Sequence, residues 1–222
     1  WKEDGSPLTA TDIEINSRVI ETIRQAFPEH RILGEEESFG PDGAEFVWVC
    51  DPVDGTIPFS HGYPTSVFSL ALCRAGQPVL GVIHDPFLGR ELIGELGRGT
   101  TLNGKPVKVS SSDSITGSMF GVDGPGDSVY ALARRISGKG GLTVTLRSFV
   151  YEGMLVSVGE FAACIFNGQT PWDGAALKIV CEEAGGLVTD LSGKPQRFDQ
   201  PISGLVCSNG LIHDELLDLI KG

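Results

Sequence analysis

Positive charge is what this sequence has least of. Its 222 residues carry 17 Lys and Arg against 29 Asp and Glu, a formal net charge of −12. That balance argues against binding to a nucleic-acid backbone, which needs lysine and arginine against the phosphates. No apolar run comes near the ~20 residues that a bilayer span requires. No secretory leader is visible either, so no membrane partner and a cytoplasmic location are expected. The chain opens abruptly on WKEDGSPLTATD, and a further segment is expected before it. The five cysteines (Cys50, Cys73, Cys164, Cys181 and Cys207) form no C-x-x-C pair and no zinc spacing. They read as reduced core thiols. His30, His61, His84 and His213 lack metal spacing and read as surface or loop residues. There is no internal repeat and no disordered linker.

Glycine, at 30 residues, is abundant and often ends an apolar run, the pattern of tight exits from strands. TATDIEINSRVIETIRQAF reads as a helix capped by Thr9 or Thr11 and stopped by Pro28. RILG is a strand stub, EFVWVCD a buried strand, and TSVFSLALCRAGQPVLGVIHDP a hairpin turning at RAGQP. Residues 46–110 are thus mainly antiparallel sheet. From SMFGVD onward, strands and helices alternate: SVYALARRIS, LTVTLRS, MLVSVGEFAACIF, PWDGAALKIVCEEAGG, LVTDLSG, SGLVCSNG and IHDELLDLI. The expected class is layered α/β. SSDSITG, residues 111–117, divides an N-terminal sheet-rich subdomain (1–112) from a C-terminal α/β subdomain (113–222).

Three sets of acids stand at exits from apolar segments or mouths of helices: Glu35, Glu36 and Glu37; Asp51 and Asp54; and Asp173. Like charges brought together repel unless a cation joins them, and hard divalent ions take oxygen ligands. If the three sets converge, they form a site for two or three metal ions, able to activate water and stabilise a leaving oxygen. Gly55 and Thr56 follow at once and expose backbone amides suited to phosphate. Acids for metal followed by amides for phosphate describe a phosphoesterase. Plainer alternatives stand beside this: an Asx turn at Asp51 and Asp54, a solvated acidic loop at Glu35–Glu37, and a helix cap at Asp173. The haloacid-dehalogenase type of phosphatase fits less well. Its acids are one residue apart, whereas Pro52 and Val53 separate these two.

GEEES (34–38), DPVDGT (51–56), WDGAALKIVCEEAGG (172–186) and LTATD (8–12) together resemble the signature segments of the inositol monophosphatase superfamily. These are Mg²⁺-dependent, lithium-sensitive phosphomonoesterases. The resemblance runs in order across nearly the whole chain. It implies an α-β-α-β-α sandwich, often a homodimer, binding two or three Mg²⁺ ions. Glu35, Asp51, Asp54, Asp173 and the carbonyl of Val53 would be metal ligands. Glu35, and Thr56 hydrogen-bonded near Asp12, would activate the water. The amides of Gly55 and Thr56 would hold the phosphate. Glu36 and Glu37 would stand behind the ligands or in solvent.

The departures from the family pattern lie at the edges of the site. Lys2 corresponds to a lysine of the metal-gating loop, and the acid of that loop falls near Ser6, which puts a third metal in question. A glutamate that binds substrate seven residues before the last metal aspartate is replaced by Phe166, read as core rather than as a stacking surface. Glu152 is the candidate substitute acid, so Asp54, Glu152 and Phe166 are the expected substrate contacts. The expected substrate is a small phosphorylated polyol or alcohol, inositol monophosphate first. Histidinol phosphate is the alternative, then a nucleotide 3′-phosphate or sugar bisphosphate. A catalytically weak binding relative is the reading of a different class.

Overall fold

The computed structural model of the protein describes residues 7–222. The expectations at Lys2 and Ser6 lie outside the described residues. Helix α1 (Ala10–Ala26) starts at a capping box. Thr9 Oγ1 accepts from the Asp12 amide at 3.4 Å, and the Thr9 amide donates to Asp12 Oδ2 at 2.9 Å. Thr9, not Thr11, is therefore the cap.

Seven strands follow one another across the first sheet: β1 (Arg31–Gly34), β2 (Phe46–Asp54), β3 (Val67–Arg74), β4 (Gln77–Asp85), β5 (Arg90–Glu95), β6 (Gly99–Leu102) and β7 (Lys105–Pro106). Only β1 and β2 run parallel. The hairpin turns where RAGQP places it, with Ala75 and Gly76 both left-handed at φ 51° and 79°. Two such residues give the turn whose twist matches the strands it joins.

The second half contains β8 (Met119–Asp123), α3 (Asp127–Gly138), β9 (Leu142–Val144), α4 (Phe149–Ser157), β10 (Ala163–Phe166), α5 (Ala175–Glu183), β11 (Leu187–Thr189), β12 (Leu205–Ser208) and α6 (His213–Lys221). Its sheet has five strands in the order β11-β12-β10-β8-β9.

The apolar residues divide into two cores. One joins Val47, Val49, Ala71, Ile83 and Leu92 of the first sheet to α4 and α5, and through them to Cys164, Leu205 and Cys207 of the second. The other packs Phe120, Val122, Ile165 and Val206 against Val129, Leu132 and Ile136 of α3 and Leu216 and Leu217 of α6. With α1 lying on β1 and β2, the layers are helix, sheet, helices, sheet, helices, as the resemblance implies.

Four features depart from the sequence reading. The strand expected to end at Asp51 runs on to Asp54, through an irregularity described below. The helix expected from Met154 starts five residues earlier at Phe149, and a short helix not foreseen, α2, spans Thr56–Ser60. His213, read as a surface or loop residue, is buried at the start of α6. Its Nε2 lies 2.9 Å from Thr189 Oγ1 and its Nδ1 2.8 Å from Ser208 Oγ. The two hydroxyls satisfy both ring nitrogens, which makes burial tolerable.

Candidate active site

The site begins with an extra residue in β2. Asp51 pairs with Ser69 and Asp54 with Val67, so three steps along β2 match two along β3. That is a β-bulge, and Pro52, which has no amide to give the ladder, sits inside it. In a regular strand, residues three apart point to opposite faces. The bulge removes that alternation, and both carboxylates turn the same way. Asp173 meets them from a 3₁₀ turn, Pro171–Asp173, that leads into α5. One carboxylate oxygen from each of Asp51, Asp54 and Asp173 lies within 4.8 Å of the others.

Each acid is held by its own donors. Asp51 Oδ1 accepts from the Val53 amide at 3.0 Å. This is an Asx turn, so the strand-end reading and the ligand reading describe one residue. Asp54 Oδ2 accepts from the Ser148 hydroxyl, from the Val150 amide at 3.0 Å and from the Tyr151 amide at 3.3 Å. Asp54 thereby caps α4 from 94 residues away. Asp173 accepts from the Thr170 hydroxyl.

Burial raises the pKa of all three acids. Asp51 is pushed well above the carboxylate range by burial first, then by the charges of Glu35, Asp54 and Asp173. Asp173 is raised by burial and then by Asp54. Asp54 rises to about 7 through burial, although its bonds to Ser148 and Tyr151 oppose the shift. Two buried carboxylates and a half-buried third, held together against their own repulsion, are the arrangement that a hard divalent cation relieves, and the donor set is all oxygen. The residues present therefore fit such an ion.

Glu35 follows β1, with its amide bonded to the Cys50 carbonyl at 3.1 Å. Its carboxyl shares a hydrogen bond with Asp51. Glu36 is half-buried and Glu37 exposed. Asp12 is fully buried, and its Oδ1 lies 3.4 Å from Thr56 Oγ1, a long contact. The same hydroxyl donates to the Val53 carbonyl at 3.1 Å. A carbonyl has two lone pairs, which leaves Val53 one for a ligand. Gly55 is left-handed at φ 83°, and a Cβ there would sit 2.7 Å from Ser148 Cβ. Only glycine fits between the end of β2 and the mouth of α4.

The sequence profile of the inositol monophosphatase family matches residues 2–221. The chain belongs to that family. It is similar to a Thermotoga maritima protein named fructose-1,6-bisphosphatase/inositol-1-monophosphatase, at 33% identity over 96% of this chain and 82% of that protein. It is 32% identical to a histidinol-phosphatase of Chlorobaculum parvum, over 99% of this chain and 85% of the other. An Anabaena inositol monophosphatase superposes with a TM-score of 0.89 at 32% identity, over 98% of this chain and 88% of that one. Membership of the inositol monophosphatase family makes the protein a phosphatase. No helix among the described residues is long and apolar enough to cross a membrane.

The other two expected substrate contacts are Glu152 and Phe166. Glu152 is fully buried, with Oε1 accepting from the Leu146 amide at 2.7 Å. Burial raises its pKa to about 8. It is an interior acid beneath β8, with no surface to offer a substrate. Phe166 is half-buried and stacked on Phe149 at a centroid distance of 4.8 Å, which is the core reading. The sequence reading did not single out Asp123, Arg147 or Ser148. Their only sequence signal was position: an acid at a strand end and a serine before an apolar segment.

Proposed function

We propose that the protein is a Mg²⁺-dependent phosphomonoesterase for small phosphorylated polyols, with inositol monophosphate as first substrate. The convergence of Asp51, Asp54 and Asp173 carries this reading. These three, with Glu35 and the Val53 carbonyl, would hold two Mg²⁺, or three. A bound divalent cation supplies a lowered water pKa and stabilises the leaving oxygen.

The rest of the chemistry belongs to the chain's own groups. Thr56 Oγ1, between the Val53 carbonyl and Asp12, is placed to orient the attacking water and pass its proton toward the buried Asp12 carboxylate. Glu35, beside Asp51, orients that water from the other side. The amides of Gly55 and Thr56 donate to the phosphate oxygens at the start of α2. Asp54, fixed by three donors on Oδ2, presents its remaining oxygen without a rotamer search.

The 32% identity to a histidinol-phosphatase favours histidinol phosphate as the second reading. Lithium sensitivity and a homodimer belong to the same proposal. So does a cytoplasmic location, which the five free, buried cysteines support.

The test is phosphate release with Mg²⁺ from inositol 1-phosphate, histidinol phosphate, adenosine 3′,5′-bisphosphate and fructose 1,6-bisphosphate. Release from inositol 1-phosphate that Asp54→Asn lowers by about a hundredfold or more supports the proposal. Release from histidinol phosphate alone transfers it to the second reading. No release from any of the four, with Mg²⁺ bound, leaves a binding relative.

A further inference from the structure

Asp54 is held by the first turn of α4, and the chain enters that helix through an unusual residue. Arg147 has φ 59°, one of three positive-φ residues other than glycine among those described. The other two, Ala75 and Asn103, sit in tight turns between hydrogen-bonded strands. Arg147 sits in no hairpin. It lies between β9 and α4, where a left-handed residue with a Cβ must be held by its surroundings.

Three ties hold this segment. Thr145 Oγ1 donates to the Val122 carbonyl of β8 at 2.8 Å. The Leu146 amide donates to the buried Glu152 at 2.7 Å. Arg147 Nη1 donates to Asp123 Oδ1 at 2.9 Å. Asp123, at the end of β8, is buried and also accepts from the Gly124 amide at 2.6 Å. The next residue, Ser148, does not cap its own helix with its side chain; its hydroxyl goes to Asp54 instead.

We propose that Asp123 and Arg147 are positioning residues for the metal site: their ion pair holds the left-handed bend that aims the Ser148 hydroxyl and the first amides of α4 at Asp54. The inference rests on the acidic trio being a cation site. Neither residue touches the cation or the substrate in this account. Their positioning effect passes through Asp54.

The test measures Mg²⁺ affinity by calorimetry on the full chain without substrate, at a temperature where circular dichroism shows every variant folded. Asp123→Ala and Arg147→Ala each weaken binding by about tenfold, in the range that displaced outer partners of a metal ligand cost. The double variant is no weaker than either single one, because both act through one bend. Arg147→Lys recovers part of the loss. Arg147→Gly, which adopts φ near 59° without strain, binds better than Arg147→Ala. Affinities within twofold of the parent, or losses that add in the double variant, overturn the proposal. If the parent protein binds no Mg²⁺, the cation reading fails by itself. Hydrogen exchange at the Val150 and Tyr151 amides then decides: faster exchange in Arg147→Ala with recovery in Arg147→Gly keeps the bend, and unchanged exchange removes it.

Discussion

Asp173 is the member of the trio with the least to do besides meeting the other two. It caps no helix beyond its own turn, and burial together with Asp54 raises its pKa. Asp173→Asn removes one like charge and keeps the shape. Without metal the variant is expected to melt at or above the temperature of the parent. With Mg²⁺ in excess the order reverses, because only the parent gains binding free energy, about 2.7 kcal/mol at a hundred times Kd. Thermal melts of both proteins with EDTA and with Mg²⁺ check this, and a parent that gains nothing from Mg²⁺ contradicts it. His213 gives a different dependence. Burial holds its imidazole below the ordinary 6.5, against a smaller opposing effect from Asp214. The unfolded chain therefore takes up this proton first, and stability is lost as the pH falls below about 6.5. Urea midpoints at about pH 7.5 and about pH 5.5 should fall further for the parent than for His213→Gln. Equal falls would show that the acid loss lies elsewhere.

At the scale of elements, Gly81 and Gly94 face each other across β4 and β5 and form a trough for α5. A Cβ at Gly81 would lie 2.5 Å from Ile179 Cγ2, and one at Gly94 would lie 2.8 Å from the Cα of Val180. The second contact is with backbone, which cannot swing away. Gly94→Ala should therefore cost about 1–3 kcal/mol, read from denaturant unfolding. Because α5 begins just after Asp173, Mg²⁺ affinity should fall as well. A variant as stable as the parent would mean that α5 shifts freely. The same scale shows what the sequence could disclose. Strands β2 to β5 were legible because their apolar alternation is local. Asp51, Asp54 and Asp173 were legible because their motifs are. The start of α4 was hidden, since its cap is Asp54, 94 residues away, and no local pattern announces a cap supplied from elsewhere. Helix α2 was hidden by its five-residue length and by Pro58 within it. Glu152 looked like an available acid because the sequence does not show that β8 covers it.

At the scale of the molecule, one core crosses from the first sheet through α4 and α5 to the second. The division into residues 1–112 and 113–222 separates two sheets, yet the inner face of the first sheet is covered by helices that belong to the second half. Fragments cut in the 111–117 stretch should each fail to fold alone and should recover the native circular dichroism when mixed; a first fragment with a cooperative melt of its own would count against a shared core. The thiols carry a further consequence. All five cysteines are unpaired with no exposed surface, and burial lifts Cys50 and Cys73 to about 12, far from the reactive thiolate. They lie in β2, β3, β10, α5 and β12, so most of the strand and helix layers hold one. An alkylating reagent in large excess can reach them only when the chain opens, and its rate of incorporation becomes the opening rate itself. The protein carries a built-in clock for its own unfolding, with a separate hand in each of five elements.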